Sequence, residues 1–270
     1  MVQLTLIVLA CVAALIVLAW TIGAREPVFA ISKPGPAWFV ALKRARPGLL
    51  DLAPGVIVAW AARADFAFIG EDAYWSDFLM LTGGQADKAP LTLGAEVQDA
   101  FIARMNLMRP PKLALGALRL LVATGLLPRP RGPLIRDASA LGEAAHLPSN
   151  EAIAALLTRP QSYAPAMVNF LQYKSVGGAA AYARYGRVAM RTVYRTGGRL
   201  LFYGRIAEVV RAARAGPCAG LWDDVGVMRY NRPEAILSME HARDYRAALH
   251  HRDAGLERTV VVASTPGEQG

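Results

Sequence analysis

Residues 166–265 constrain the fold more than any other stretch, because the spacing of apolar side chains changes repeatedly along them. From Ala166 to Lys174, Val168, Phe170 and Gln172 fall on one face, and Met167, Asn169, Leu171 and Tyr173 on the other. A period of two with apolar residues on both sides predicts a strand covered on both faces. Gly177-Gly178 breaks it. From Ala179 to Thr196 the spacing turns helical: Tyr182, Tyr185, Ala189, Val193 and Thr196 recur on one side, and Arg184, Arg187, Arg191 and Arg195 on another. Gly197-Gly198 supplies a stop, since glycine enters the left-handed region without a side-chain clash. Arg199 to Val210 is the second strand, and Ala212 to Ala219, with Gly216-Pro217, a loop. Leu221 to Tyr230 is the third strand. Asn231-Arg232-Pro233-Glu234 opens a short helix with proline in its first turn. Arg243 to Leu249 is a further helical piece, Gly255 ends it, and Thr259 to Ala263 is a last buried strand.

That order predicts an α+β fold of the ferredoxin-like βαββαβ plan: one four-stranded antiparallel sheet with helices on one face. The other face needs cover. In a domain of this size the sheet of a second copy supplies it, so a two-fold homodimer is expected. The residues Met167-Val-Asn-Phe-Leu171, Tyr182-Ala-Arg-Tyr-Gly186, Gly197-Gly-Arg-Leu-Leu201, Gly204-Arg205, Trp222-Asp223, Met228-Arg-Tyr-Asn231 and Tyr245 to Leu256 carry a resemblance. Through them the stretch resembles an uncharacterised family of small dimeric α+β-barrel domains, related to the antibiotic-biosynthesis monooxygenases. The resemblance covers residues 166–265 alone and implies a barrel built by pairing, with no settled reaction.

At the other end, Leu4 to Gly23 carries no charge. Twenty helical residues span ~30 Å, the thickness of a bilayer's hydrocarbon core. Trp20 sits where an interfacial aromatic is expected. A secretory signal peptide is the rival reading; Met1-Val-Gln lacks its usual basic start, and the apolar run is long for one. The expectation is a single-pass membrane protein anchored by residues 1–24. Arg25, Lys33, Lys43, Arg44 and Arg46 follow the run with no counterpart before it, which places the C-terminal body in the cytoplasm.

Four prolines make residues 25–50 a stiff tether. Residues 51–165 read as a mainly helical middle segment. It holds a strand candidate at Val56–Trp60, a helix over Glu96–Met108, and a helix over Glu151–Leu157 capped by Ser149 or Asn150. No repeat of the C-terminal plan is recognisable there. From Arg104 to Arg136 there are seven basic residues and no acidic one. Within it, Leu113 to Leu127 has Arg119 as its one charge and is short for a span. It is either a buried helix or one lying in the membrane interface with its basic flanks on anionic headgroups. Residues 266–270 are a tail. The formal net charge of +9 is concentrated in 104–136 and in the C-terminal domain, and suggests membrane lipid as a partner. It lacks the interleaved aromatics of a single-strand nucleic-acid binder, so no nucleic acid is expected.

Cys11 and Cys218 give neither a disulfide framework nor a metal spacing. No phosphate loop, nucleophile elbow or zinc motif is present, and no cofactor is called for. In a barrel of the resembled kind a small-molecule pocket lies between the sheet and its own helices. Asn169 and Tyr173 on the first strand and Tyr203 and Arg205 on the second are its ligand-binding candidates. His241, His250 and Arg252, around the last helix, are the catalytic candidates, as imidazoles near a guanidinium can move a proton or hold an enolate. Buried amides and tyrosines in such positions also occur as ordinary satisfied core groups. Asp223-Asp224 reads as a turn. Two functions follow: a membrane-anchored barrel that binds a small molecule, with monooxygenase- or isomerase-like chemistry, or a non-enzymatic assembly module at the membrane.

Overall fold

The computed structural model describes all residues except 47, 49, 71–73, 217–219 and 268–270, so Pro47, Pro217, Cys218 and the end of the expected tail lie outside the described residues. Helix α1 (Val2–Ala24) leads into a short α2 (Pro27–Ile31). Six strands follow: β1 (Ala37–Arg44), β2 (Asp51–Leu52), β3 (Val56–Ile69), β4 (Asp77–Gly83), β5 (Leu91–Thr92) and β6 (Val97–Leu107). Helices α3 (Lys112–Ala123) and α4 (Asn150–Leu157) separate these from β7 (Ala166–Tyr173), α5 (Gly178–Arg195), β8 (Arg199–Arg211), β9 (Asp224–Arg229), α6 (Arg243–Gly255) and β10 (Leu256–Pro266).

Eight of the strands close into one barrel in the order β1-β4-β3-β10-β7-β9-β8-β6, antiparallel at every junction. The C-terminal elements come in the expected sequence, but they are not a free-standing four-stranded sheet. They make half of a single eight-stranded one. The other half is β1, β3, β4 and β6, in the same relative order as β7, β8, β9 and β10. The second strand of each half pairs with the fourth of the other, β3 with β10 and β8 with β6. This corrects three expectations at once. Residues 37–44 are a barrel strand rather than tether. Residues 97–107 are a strand rather than a helix. The segment before residue 110 does repeat the C-terminal strand order, without its helices.

The bare face for which a second copy was expected is therefore filled from the same chain. Phe39, Phe78 and Phe101 of the first half meet Phe170 of the second at centroid distances of 5.4 to 6.3 Å, and Trp60 meets Phe202 at 5.4 Å. All but Trp60 have side chains with essentially no exposure, so the barrel interior is solid core and not a ligand channel. Each such ring stabilises by roughly 1.5–3 kcal/mol on burial. That removes the argument from which a homodimer was expected.

Outside, the two halves differ. The second half is roofed by α5 and α6. The first half's outer face, with Trp38, Val40, Leu79 and Ile102, is covered by loops and the β2–β5 ribbon. Glu26, 2% exposed, ties the foot of α1 to this body. Its carboxylate takes a 2.7 Å ion pair from Arg119 of α3 and a 2.8 Å hydrogen bond donated by the Tyr194 hydroxyl of α5. Helix α3 lies against α1 itself: a Cβ added to Gly116 would sit 1.6 Å from the Ala19 carbonyl oxygen. Only glycine allows the backbones so close. The 22-residue apolar stretch of α1 is long enough to cross a membrane, and little of it is covered by the rest of the chain.

Candidate functional site

A cavity of about 630 Å³ lies between the outer face of β7, β8 and β10 and the helices α5, α6 and α3. Strand alternation creates its floor. Val168 and Phe170 turn into the barrel, which leaves Asn169 and Leu171 on the helix side. Its walls are largely apolar and aromatic: Tyr182 and Tyr185 of α5, Tyr245 of α6, and Leu115 and Leu118 of α3. The exposed members of the lining, Ala183, Arg187 and Arg191 of α5 with Met108 just before α3 and Ala114 in its first turn, put the opening between α5 and α3.

Polar groups collect in two places. At one, Asp224 is buried and its Oδ2 accepts hydrogen bonds from the hydroxyls of Tyr173 at 2.6 Å and Tyr203 at 2.5 Å. The two phenol oxygens lie 2.7 Å apart. Gly226 pairs with both Asn169 and Tyr203, and a Cβ there would be 2.7 Å from the Tyr203 ring. The glycine is what lets the ring lie across β9 toward the cavity. Burial first, and then the Asp224 carboxylate, push the phenol of Tyr173 far up from its ordinary range; burial likewise dominates at Tyr203, with Tyr173 and Asp224 adding to it. Both hydroxyls thus stay protonated beside Asp224, and of the two Tyr203 lines the cavity, where its oxygen can accept from a ligand. Asp224 Oδ1 accepts no hydrogen bond, and Arg205 Nε lies 3.6 Å away.

At the other place, the Arg252 guanidinium is 6% exposed and donates to the Ala145 carbonyl. Burial pulls its pKa down, but Tyr185, Tyr245, Asp253 and Glu240 together hold it above the ordinary value, so it is a fixed cation. The hydroxyls of Tyr185 and Tyr245 are 3.1 Å apart beside it. His146 enters from the loop before α4 with a φ of 58°. Burial, and then the charge of Arg252, lower its pKa, so the imidazole is neutral near pH 7. The arrangement can hold an anionic group at Arg252 and pass a proton through a phenol to Asp224.

Of the residues singled out from sequence, Asn169, Tyr203 and Arg252 line the cavity, and Tyr173 joins them through Tyr203 and Asp224. Asn169 spends its amide on the carbonyls of Met167 and Gly226. Arg205 stays largely outside, with its side chain 68% exposed. The three proposed catalytic residues do not converge. On α6 the buried positions are 245, 248, 249, 252 and 255, a helical stripe that includes Arg252 and turns His250 outward. His250 Nδ1 bonds the Ala247 carbonyl of its own helix, and His241 Nε2 bonds the Pro133 carbonyl over Gly132. Sequence reasoning took Asp224 for a turn residue and passed over His146. Asp224 was legible: with Val225 and Val227 turned into the barrel, alternation puts Asp224, Gly226 and Met228 on the helix side. Asp223 alone serves the bend, accepting from the Tyr173 backbone N–H at 2.7 Å. No sequence signal marks His146. Among the described residues no three His, Cys, Asp or Glu side chains group as metal ligands.

Fold and cavity together define a mixed α+β protein with a closed eight-stranded antiparallel barrel, a largely apolar ligand-sized cavity on its outer face and an apolar N-terminal helix. No family model and no curated protein matches the chain. Among solved structures it is similar to a protein of unknown function from Rhodopseudomonas palustris, at 26% identity over 45% of this chain and 96% of that one, with a TM-score of 0.39. A second structure, of that protein in methylated form, matches at 27% identity over 46% and 95% of the two chains, with the same TM-score. A candidate monooxygenase from Lactobacillus acidophilus NCFM is similar over 86% of this chain and 94% of its own, at 9% identity and a TM-score of 0.40. Likeness at this level carries no argument about chemistry, which rests on the cavity itself.

Proposed function

We propose that this chain is a membrane-anchored α+β barrel that holds one small amphiphilic molecule between its sheet and its helices. The observation that carries this is the cavity of about 630 Å³, apolar along its walls, with a buried cation and a phenol–carboxylate group as its polar fixtures. A site of this size and lining suits a molecule with an apolar body and a single anionic group. The anion pairs with Arg252. The Tyr203 hydroxyl and Asp224 offer a proton path of the kind an isomerase-like or cofactor-free monooxygenase-like step uses, and the resemblance of residues 166–265 to that superfamily supports the same reading.

The test is binding of cis-parinaric acid, a fluorescent carboxylic acid with an apolar chain, to the full-length protein in detergent. Saturable binding is expected, weakened roughly tenfold or more in Arg252→Met, since a charge-assisted hydrogen bond contributes about 1.5–3 kcal/mol. Absence of saturable binding, or an unchanged affinity in Arg252→Met, overturns the reading.

A further inference from the structure

The cavity opens beside α1, the apolar helix long enough to cross a membrane. Its opening lies between α5 and α3, and α3 is shared: Ala114, Leu115 and Leu118 face the cavity while Gly116 meets α1 at Ala19 and Gly23. The end of α1 that α3 touches is the end with Trp20, over whose ring Lys112 of α3 places its ammonium at 5.1 Å. Tryptophan and lysine together are side chains of the membrane–water boundary. Around this contact the exposed residues of both helices are apolar: Leu18 at 47%, Leu113 at 41%, Leu121 at 43%, and Leu126 just beyond at 75%. On the far side of the opening, Arg187 of α5 is exposed, while Arg191 one turn on is ion-paired with Asp244 at 2.6 Å. The opening thus has a greasy lip on the α3 side and a cationic lip on the α5 side, at the level where hydrocarbon gives way to headgroups.

From this placement we infer that the cavity loads from the bilayer: a membrane-dissolved amphiphile, anionic at one end, passes between α3 and α5 without crossing bulk water. This rests on the proposed function and adds the route and the source. Helix α3 is then a doorpost rather than a mere membrane rest. Its Gly116 contact fixes it to the span, so the opening keeps its depth in the interface whatever the rest of the barrel does. Arg187 on α5 meets the anionic group as it leaves the headgroup layer, and Arg252 receives it inside. The apolar body follows along Leu115 and Leu118.

The experiment follows transfer of cis-parinaric acid to the full-length protein reconstituted in phosphatidylcholine vesicles, with the probe supplied either in the same vesicles or from the aqueous phase. Ala114→Trp and Ala183→Trp narrow the opening from its two sides; both positions are exposed, so the fold tolerates a larger side chain there. Transfer from the shared bilayer should be the faster route, and, since both residues stand at the rim of the cavity, each variant should slow transfer by roughly tenfold more than it changes equilibrium affinity in detergent. If binding in detergent is intact but transfer tracks the aqueous probe concentration, or neither tryptophan slows it, the membrane route is wrong and the binding site stands. If no binding occurs in detergent either, both fall.

Discussion

Asp224 anchors the polar end of the cavity through two phenols, and the two bonds differ in what they leave behind when broken. Tyr203→Phe removes one hydroxyl and keeps the Tyr173 bond at 2.6 Å. Asp224→Ala removes the carboxylate that both Tyr173 and Tyr203 donate to, and leaves the two phenols to bond each other. Denaturant titration should therefore show a loss of about 1 kcal/mol for Tyr203→Phe and about 2–3 kcal/mol for Asp224→Ala. His146 gives a second handle. Its folded pKa lies below the unfolded value of 6.5. Below that value the unfolded chain takes up a proton that the folded chain resists, so this contribution to stability is complete above 6.5 and declines as the pH falls through it. In His146→Asn, which tolerates the left-handed backbone, the decline in stability between about pH 7 and about pH 5 should be shallower than in the parent.

Among the elements, the pairing of α1 with α3 is the one where a single atom decides. A Cβ on Gly23 would lie 1.8 Å from the Lys112 carbonyl oxygen, and one on Gly116 1.6 Å from that of Ala19. Gly116→Leu should force the helices apart and lower thermal stability in detergent, by about 1–3 kcal/mol as for other overpacked contacts. The elements also show what was legible beforehand. Strands β7, β8 and β9 and helix α5 could be read because glycine pairs punctuate them and because β7 alternates between two kinds of neighbour. Strands β1 and β6 could not. Ala37 to Leu42 is buried at every position, and β6 has Phe101, Ala103 and Met105 inside the barrel while Ala100 and Ile102 sit beneath the outer loops. A strand apolar on both faces loses its alternation, and its apolar residues then fall at helical spacings by chance. At the candidate site the same logic divides the residues. Asn169, Tyr203 and Arg252 follow from periodicity, whereas His146 sits on a loop whose path the sequence does not announce.

At the scale of the molecule, barrel closure within one chain has a measurable signature. When a fold needs two copies, its melting temperature rises with protein concentration. Here the strands that seal the barrel, β3 on β10 and β6 on β8, belong to one polypeptide. Thermal unfolding of the full-length chain in detergent should accordingly be independent of concentration over at least a tenfold range. A rising midpoint would mean that contacts between copies, absent from the barrel itself, help hold the fold.

A barrel made of two identical protomers must possess twin pockets, one under each pair of helices. Covalent joining lifts that obligation. In this chain the pocket that Arg252 lines lies under the helices of the second half, while much of the first half's outward side is stitched to the ribbon. Any substitution near Asp224 or Arg252 is thus felt once per barrel, and occupancy should saturate at one molecule per polypeptide.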